Sequence, residues 1–255
     1  MNGIKLITLD LWNTLIIDVP NGGVTRNSLR VDGIGQILAD QGQACTNKDI
    51  LTAIQKTQKI LWDCQLSGVD LSFDQQVDCF LNKLRGLDVI KLGNVGRDQI
   101  AEKYGNSFFG CSPKLNKDVK LVLAKLKKKG FRIALVSNTG ATPGRMLRVY
   151  LSRLEIVHYF ELLVFSDEHA IAKPNPELFI RTLTTLGVQP SQSVHVGDQR
   201  YFDCDGAKQV GMKAILLDGI VQHVEPSQCR FEPDAIIGGI RKLPSILSNN
   251  QETYS

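Results

Sequence analysis

A chain of 255 residues, 43% of them hydrophobic and 22% charged, holds enough apolar side chain for one large core or two small ones, and this excludes long disorder. The net charge of +4 is small for this length and argues against a nucleic-acid partner, which would call for a clustered basic face with aromatic platforms. The one tight basic run, Lys125, Lys127, Lys128 and Lys129 before Gly130, suits a helix C-terminus, where cations meet the negative end of the dipole and glycine closes the last turn.

In chain order, residues 4–9 are a short apolar, β-rich run that stops at Asp10, the pattern of a buried strand. From about residue 18 to residue 111 strand signals are sparse. Leu29, Gly33 and Ile37, then Ile50, Ile54 and Leu61, follow helical spacing, and Trp62 fits the core of the same helices. Further helices are predicted over 73–84 and 97–108, with polar breaks at Gly42-Gln43 and Ser67-Gly68, so this segment reads as an all-helical bundle. After Pro113 the texture changes again. A helix over 117–129 leads through Gly130 into a strand over 131–136 that ends at Ser137, and Pro143 suits a helix's first turn. A strand over 162–165, a helix over 176–186, a strand over 193–196, a helix over 201–210 stopped by Gly211, and strands over 214–217 and 235–237 complete the pattern.

Strands alternating with helices specify βαβ units and a parallel sheet. The expected architecture is therefore an α/β, Rossmann-like core (1–17 and 112–247) interrupted after its first strand by a helical insert (18–111), with a polar, frayed tail (248–255). Ligands bind such sheets outside the carboxyl ends of the strands, and an insert placed there can act as a lid. The six cysteines form neither a Cys-x-x-Cys pair nor a zinc spacing. No run of about 18 apolar residues is available to span a bilayer, and the N-terminus lacks the layout of a signal peptide. A cytoplasmic protein with free thiols and no membrane partner is the expectation, as a monomer or a homodimer.

Four polar constellations sit at strand ends or in the loops after them: Asp10-Leu-Trp12-Asn13-Thr14, Ser137-Asn138-Thr139, Lys173-Pro174-Asn175-Pro176, and Gly197-Asp198 with Asp203 further on. Each alone has an ordinary reading as a turn residue, a helix cap, a loop lysine or a first-turn acid. Their order and spacing together resemble the haloacid dehalogenase (HAD) superfamily. Ser166-Asp167-Glu168 and Gly206-Ala207-Lys208 also resemble it, and the likeness extends over about residues 1–245. The resemblance implies a hydrolase in which Asp10 is a carboxylate nucleophile. It implies Mg²⁺ held by Asp10, the Trp12 backbone carbonyl and Asp198, with Asp203 in support. It further implies that Lys173 neutralises the nucleophile and the transferring group, and that Ser137 hydrogen-bonds a phosphoryl oxygen with Asn138 and Thr139 beside it.

One position departs from the phosphatase pattern. Where a second aspartate would protonate the leaving group and then activate water, the chain has Trp12, and losing a general acid/base typically costs about 10²–10⁴-fold. Three readings follow: a phosphohydrolase for small phosphorylated metabolites with good leaving groups, with Asp18 or an insert residue as a stand-in acid; a phospho-ligand or partner-binding protein with little turnover; or an enzyme like the L-2-haloacid dehalogenases, which carry an aromatic residue there but lack the Gly-Asp pair kept here as Gly197-Asp198. Arg26 and Arg30, one turn apart on the first insert helix, are candidates to bind phosphate or a substrate carboxylate, against the commoner fate of a solvated helix face. Trp12 is a candidate to shape the leaving-group pocket, and His195, inside a strand, reads as core.

Overall fold

The computed structural model describes residues 1, 3–218 and 229–247. Among them the strands are β1 (Leu6–Leu9), β2 (Ile16–Ile17), β3 (Lys114–Leu115), β4 (Arg132–Ser137), β5 (Leu162–Phe165), β6 (Ser193–Gly197), β7 (Lys213–Leu217) and β8 (Ala235–Ile237). Six of them form one parallel sheet in the order β5-β4-β1-β6-β7-β8. β1 lies between β4 and β6, with Ile7 opposite Ile133 on one side and Val194 on the other. The chain runs outward from β1 through β4 to β5, then crosses to build β6, β7 and β8 on the other side. Strand order therefore reverses at β1, and Asp10 follows the last residue of that strand at the crevice such a reversal opens.

Successive side chains on the buried strands alternate between two cores. Ile7, Leu9, Ile133 and Leu135 pack with Val122, Leu126, Leu147 and Leu151 on one face, whereas Leu6, Ala134 and Val136 pack with Leu178, Phe179 and Ala207 on the other. The helices supplying these residues are Val119–Lys128, Gly144–Arg153, Pro176–Leu186 and Gly206–Gln209.

Between β2 and β3 the chain forms four helices, α1 (Gly22–Asp40), α2 (Asn47–Leu66), α3 (Phe73–Lys83) and α4 (Val89–Gly110). Thr46 with Asp49, and Ser72 with Gln75, make capping boxes at the starts of α2 and α3, which satisfy otherwise orphaned N–H groups. Gly93 interrupts α4 at φ 61°, a conformation costly for residues with a Cβ. The four helices bury a core of their own, with Ile34, Ile54, Phe80, Ile100 and Tyr104 inside it.

The structure differs from the sequence expectations in several places. Trp62 is 46% exposed and meets Phe202 edge-on at 5.5 Å, so it faces the sheet domain rather than the insert's core. Helical spacing places Leu61 correctly, but the next residue points about 100° away around the helix. The predicted helix over 201–210 opens as a π-helical turn, Arg200–Asp205, before Gly206–Gln209; such wide turns gather at functional sites. The two-residue ribbon in which Ile16 opposes Leu115 is too short to leave a periodic signal. The tail over 248–255 lies outside the described residues. Among those residues no helix is long and apolar enough to cross a membrane, and Cys45, Cys64, Cys79 and Cys111 are free thiols.

That ribbon runs the two chain crossings between sheet and insert side by side, and Arg26 ties them together. Its guanidinium forks onto both carboxylate oxygens of Asp18 at 2.8 and 2.6 Å and also donates to the Cys111 carbonyl at 2.9 Å. Gly22 makes room for this contact, since a Cβ there would stand 2.3 Å from an Asp18 oxygen. The solvated-face reading of Arg26 is therefore wrong: the residue is 7% exposed and its charge is matched within the fold. Arg26→Met is expected to lower unfolding free energy by about 2 kcal/mol, less than a fully buried pair because Asp18 keeps about a third of its exposure. Urea denaturation of Arg26→Met, Asp18→Asn and the double variant checks this, and strictly additive losses would contradict a coupled pair.

Candidate active site

Three loops from the carboxyl edge of the sheet meet around one buried ammonium group. Lys173, 1% exposed, donates through Nζ to Asp10 Oδ1 at 2.7 Å and to Asp203 Oδ1 at 2.6 Å. Asp10 is held at the end of β1 by its own N–H, which donates to the Val196 carbonyl at 2.9 Å. Asn138, just past β4, clamps the lysine's backbone: its Oδ1 accepts from the Lys173 N–H at 2.8 Å and its Nδ2 donates to the Lys173 carbonyl at 3.0 Å. Asp203 comes from the π turn, and only a residue without a Cβ admits it, because a Cβ on Gly197 would lie 2.1 Å from Asp203 Cγ.

His195, read from sequence as core, is wholly buried but also supports this cluster. Its Nε2 lies 3.1 Å from Asp203 Oδ1 and its Nδ1 2.8 Å from Thr8 Oγ1. An ionised carboxylate can only accept, so the neutral ring carries its proton on Nε2 and Nδ1 accepts from the Thr8 hydroxyl. Burial lowers the imidazole's pKa, which favours that neutral form. Alternation along a strand shows the burial, while the polar partner comes from a loop eight residues on and leaves no local signal.

The buried groups of the cluster shift one another's titration. Burial, together with Asp203 and Asp198, pushes Asp10 up to about 7 even though Lys173 acts the other way. Burial alone would raise Asp203, but Lys173 and His195 hold it well below the usual carboxylate range. Burial alone would lower Lys173, but Asp10 and Asp203 raise it above an ordinary lysine. Lys173 thus faces two carboxylates, and Asp198 acts on Asp10 from the end of β6. Asp198, 8% exposed at the end of β6, accepts from Asn13 Nδ2 at 3.0 Å. Among the described residues no three His, Cys, Asp or Glu side chains converge as a metal site. Hard oxygen donors from Asp10, Asp198 and a backbone carbonyl still suit a divalent cation that keeps several waters. Asp203 is engaged within the fold: Oδ1 meets Lys173 and His195, and Oδ2 accepts from the Gln199 N–H at 2.9 Å.

A cavity of about 380 Å³ opens over the cluster, lined by Asp10, Trp12, Asn138, Thr139, Lys173 and Asp203 from the sheet side and by Arg30, Gln58, Trp62 and Gln65 from the insert, among others. Trp12 stands edge-on to Phe108 of α4 at 6.2 Å and carries the Arg26 guanidinium 5.8 Å from its ring centre. It therefore both packs the insert and walls the cavity. Ser137 is fully buried, with Oγ donating to the Asn138 carbonyl at 3.1 Å. Asp18, considered a stand-in acid, is occupied by Arg26 instead. Arg30 is not a solvated residue either; it is 2% exposed and lines the cavity.

Thr139 has a role that sequence reasoning did not anticipate. Its N–H donates to Ser166 Oγ at 2.8 Å, and its hydroxyl lies 3.4 Å from Asp70 Oδ2. Asp70, in the loop after α2, also accepts from Ser166 Oγ and from Gln65 Nε2 at 3.1 Å. Gln65 in turn donates to the Thr139 carbonyl. Thr139 thus takes part in a buried latch between insert and sheet while also lining the cavity, and Asn138, also in the lining, clamps the Lys173 backbone.

The order of the sheet and its surrounding helices agree with what comparison finds. A family model for haloacid dehalogenase-like hydrolases matches residues 4–211, and the chain belongs to that family. It is 35% identical to a glyceraldehyde 3-phosphate phosphatase of Methanopyrus kandleri over 133 residues, 51% of this chain and 55% of that protein. It is 30% identical to a phosphoglycolate phosphatase of Aquifex aeolicus over 66% of this chain and 76% of that one. The chain spans about half the length of the first of these relatives. A crystal structure of a 2-haloacid dehalogenase from Pseudomonas syringae superposes with a TM-score of 0.71 at 23% identity, covering 96% of this chain and 98% of that one; at that identity the likeness shows the fold.

The latch titrates. Burial pushes the Asp70 carboxyl up to about 6, despite hydrogen bonds from Ser166, the Leu71 N–H and Gln65 that favour its charged form. In the unfolded chain it titrates near 3.9. A native pKa above the unfolded one means that the charged form penalises the fold above pH 6 and that the penalty fades as pH falls toward 4. Relative to Asp70→Asn, the wild type is expected to gain on the order of 3 kcal/mol of unfolding free energy between pH 7 and pH 4. Parallel urea melts across that range measure the difference, and a flat difference would mean that the carboxyl is not penalised in the fold.

Proposed function

We propose that the protein is a Mg²⁺-dependent phosphohydrolase that acts through an aspartyl-phosphate on a small phosphorylated metabolite with a good leaving group. The observation that carries this reading is the position of Asp10: at the end of the central strand, under an open cavity, 2.7 Å from the Lys173 ammonium. Residues 1–17 and 112–247 serve as the catalytic core and 18–111 as its cap. The names of the two phosphatase relatives point to small phosphorylated substrates.

In this reading Asp10, the Trp12 carbonyl and Asp198 hold the metal, which when bound supplies positive charge against the phosphoryl oxygens. Asp203 and His195 position Lys173. Asp10 bonds to phosphorus as the bond to the leaving oxygen breaks, and the leaving group departs as its own anion. Water then cleaves the aspartyl-phosphate and releases inorganic phosphate. Lys173 stays charged throughout, because two carboxylates hold it so, and it offsets charge on the transferring group. Ser137 turns its hydroxyl from the Asn138 carbonyl to a phosphoryl oxygen. The position that would supply a leaving-group proton is Trp12, whose indole cannot do so, and Asp18 is fixed to Arg26. Acyl phosphates and aryl phosphates, which need no such proton, are therefore favoured over alkyl phosphates.

Acetyl phosphate and an aryl phosphate should be hydrolysed with Mg²⁺, at least 100-fold less with chelator, and not measurably by Asp10→Asn. Trp12→Asp should raise turnover of a simple alkyl phosphate tenfold or more by restoring the acid. Wild-type turnover that survives both chelation and Asp10→Asn would sink the reading. An unchanged alkyl-phosphate rate in Trp12→Asp would place the preference in the cap instead.

A further inference from the structure

Two arginines one turn apart on α1 have different electrostatic environments. Arg26 is matched by Asp18. Arg30, equally buried, has only neutral partners: Nε donates to the Tyr104 carbonyl at 2.8 Å, Nη1 donates to Asn27 Oδ1 at 2.8 Å, and the guanidinium lies 5.1 Å from the Tyr104 ring centre. Among the described residues no carboxylate pairs with it and its Nη2 makes no hydrogen bond. A guanidinium does not shed its charge at neutral pH, and a buried charge without a counterion is costly to keep. Burial and the neighbouring Arg26 pull its pKa down to about 10.

Arg30 lines the same cavity as Asp10 and Lys173. Its fork is held in a fixed orientation by a carbonyl and an amide, and Gln58 Nε2 steadies that amide by donating to Asn27 Oδ1 at 3.2 Å. The Asp10 end is crowded with carboxylates and repels a second anion, whereas the Arg30 end lacks one. We propose that Arg30 forms a second anion-binding subsite, so that the substrate carries a carboxylate or a second phosphate on its leaving group, apart from the phosphoryl group received at Asp10. This rests on the phosphohydrolase reading for what occupies the Asp10 end. Arg26, also predicted as a substrate contact, has its charge matched by Asp18.

The test uses non-hydrolysable ligands on the Mg²⁺-loaded protein, with affinities measured by isothermal titration calorimetry. Three series with two to four methylenes are compared: ω-carboxyalkylphosphonates, alkylbisphosphonates and uncharged alkylphosphonates. At one chain length an anionic tail should bind at least tenfold tighter than the uncharged tail, about 1.4 kcal/mol, and whichever series shows the gain identifies the group. Arg30→Gln should remove that gain and leave alkylphosphonate affinity unchanged, while Arg30→Lys should keep part of it. Equal affinities for charged and uncharged tails in the wild type would overturn the subsite, whether or not the variants fold. If acetyl phosphate is nevertheless turned over with Mg²⁺, only the subsite fails. If no phosphonate binds and acetyl phosphate is not hydrolysed, the phosphohydrolase reading fails with it.

Discussion

The buried ammonium of Lys173 constrains the whole arrangement. Taking such a charge out of water costs several kcal/mol unless partners surround it, and here Asp10 and Asp203 sit at 2.7 and 2.6 Å. Each partner comes from a different loop, so the sheet must bring the ends of β1 and β6 and the loop after β5 to one point. The reversal of strand order at β1 does this. The supporting contacts serve the same end: Asn138 grips the lysine backbone, His195 and the Gln199 N–H fix Asp203, and Gly197 gives Asp203 room. Two carboxylates surround the lysine, and Asp198 stands close enough to Asp10 to raise its pKa.

The helical insert completes the site by a separate set of contacts. Arg26 binds both chain crossings where they run side by side, and Asp70, Gln65, Ser166 and Thr139 join the insert to the sheet at the opposite rim. Trp12 and Trp62 each reach across the boundary, one to Phe108 and the other to Phe202. The cavity walls therefore depend on both parts of the chain.

Much of this was legible in the sequence because period and punctuation carry it. The run ending at Asp10, the strand ending at Ser137 and the helix over 176–186 are local patterns, and the structure has them within a residue or two. The four polar constellations were visible as strand-end residues before any coordinates. What could not be read is which polar atom meets which. Nothing near Thr139 signals Asp70, about seventy residues earlier, and Arg26 and Arg30 look equivalent until Asp18 turns out to belong to one of them. Trp62 shows the same limit: helical spacing reports a face, but only tertiary packing says whether that face meets the insert's own core or the neighbouring sheet domain. His195 and Asp203 lie eight residues apart, yet a π turn, which no simple periodicity predicts, brings them together.

The central claim is that Asp10 and Asp198 together hold a divalent cation. Thermal unfolding near pH 7.5, with Mg²⁺ and with chelator, tests it without reference to turnover, since a ligand that binds only the native state raises Tm. Mg²⁺ should raise the Tm of the wild type and do so far less for Asp10→Asn and Asp198→Asn. With chelator, Asp10→Asn should melt above the wild type, because it removes a buried charge that the fold holds at a cost. A wild-type Tm indifferent to Mg²⁺, together with a destabilised metal-free Asp10→Asn, would show that the lysine alone balances the cluster and would contradict the account.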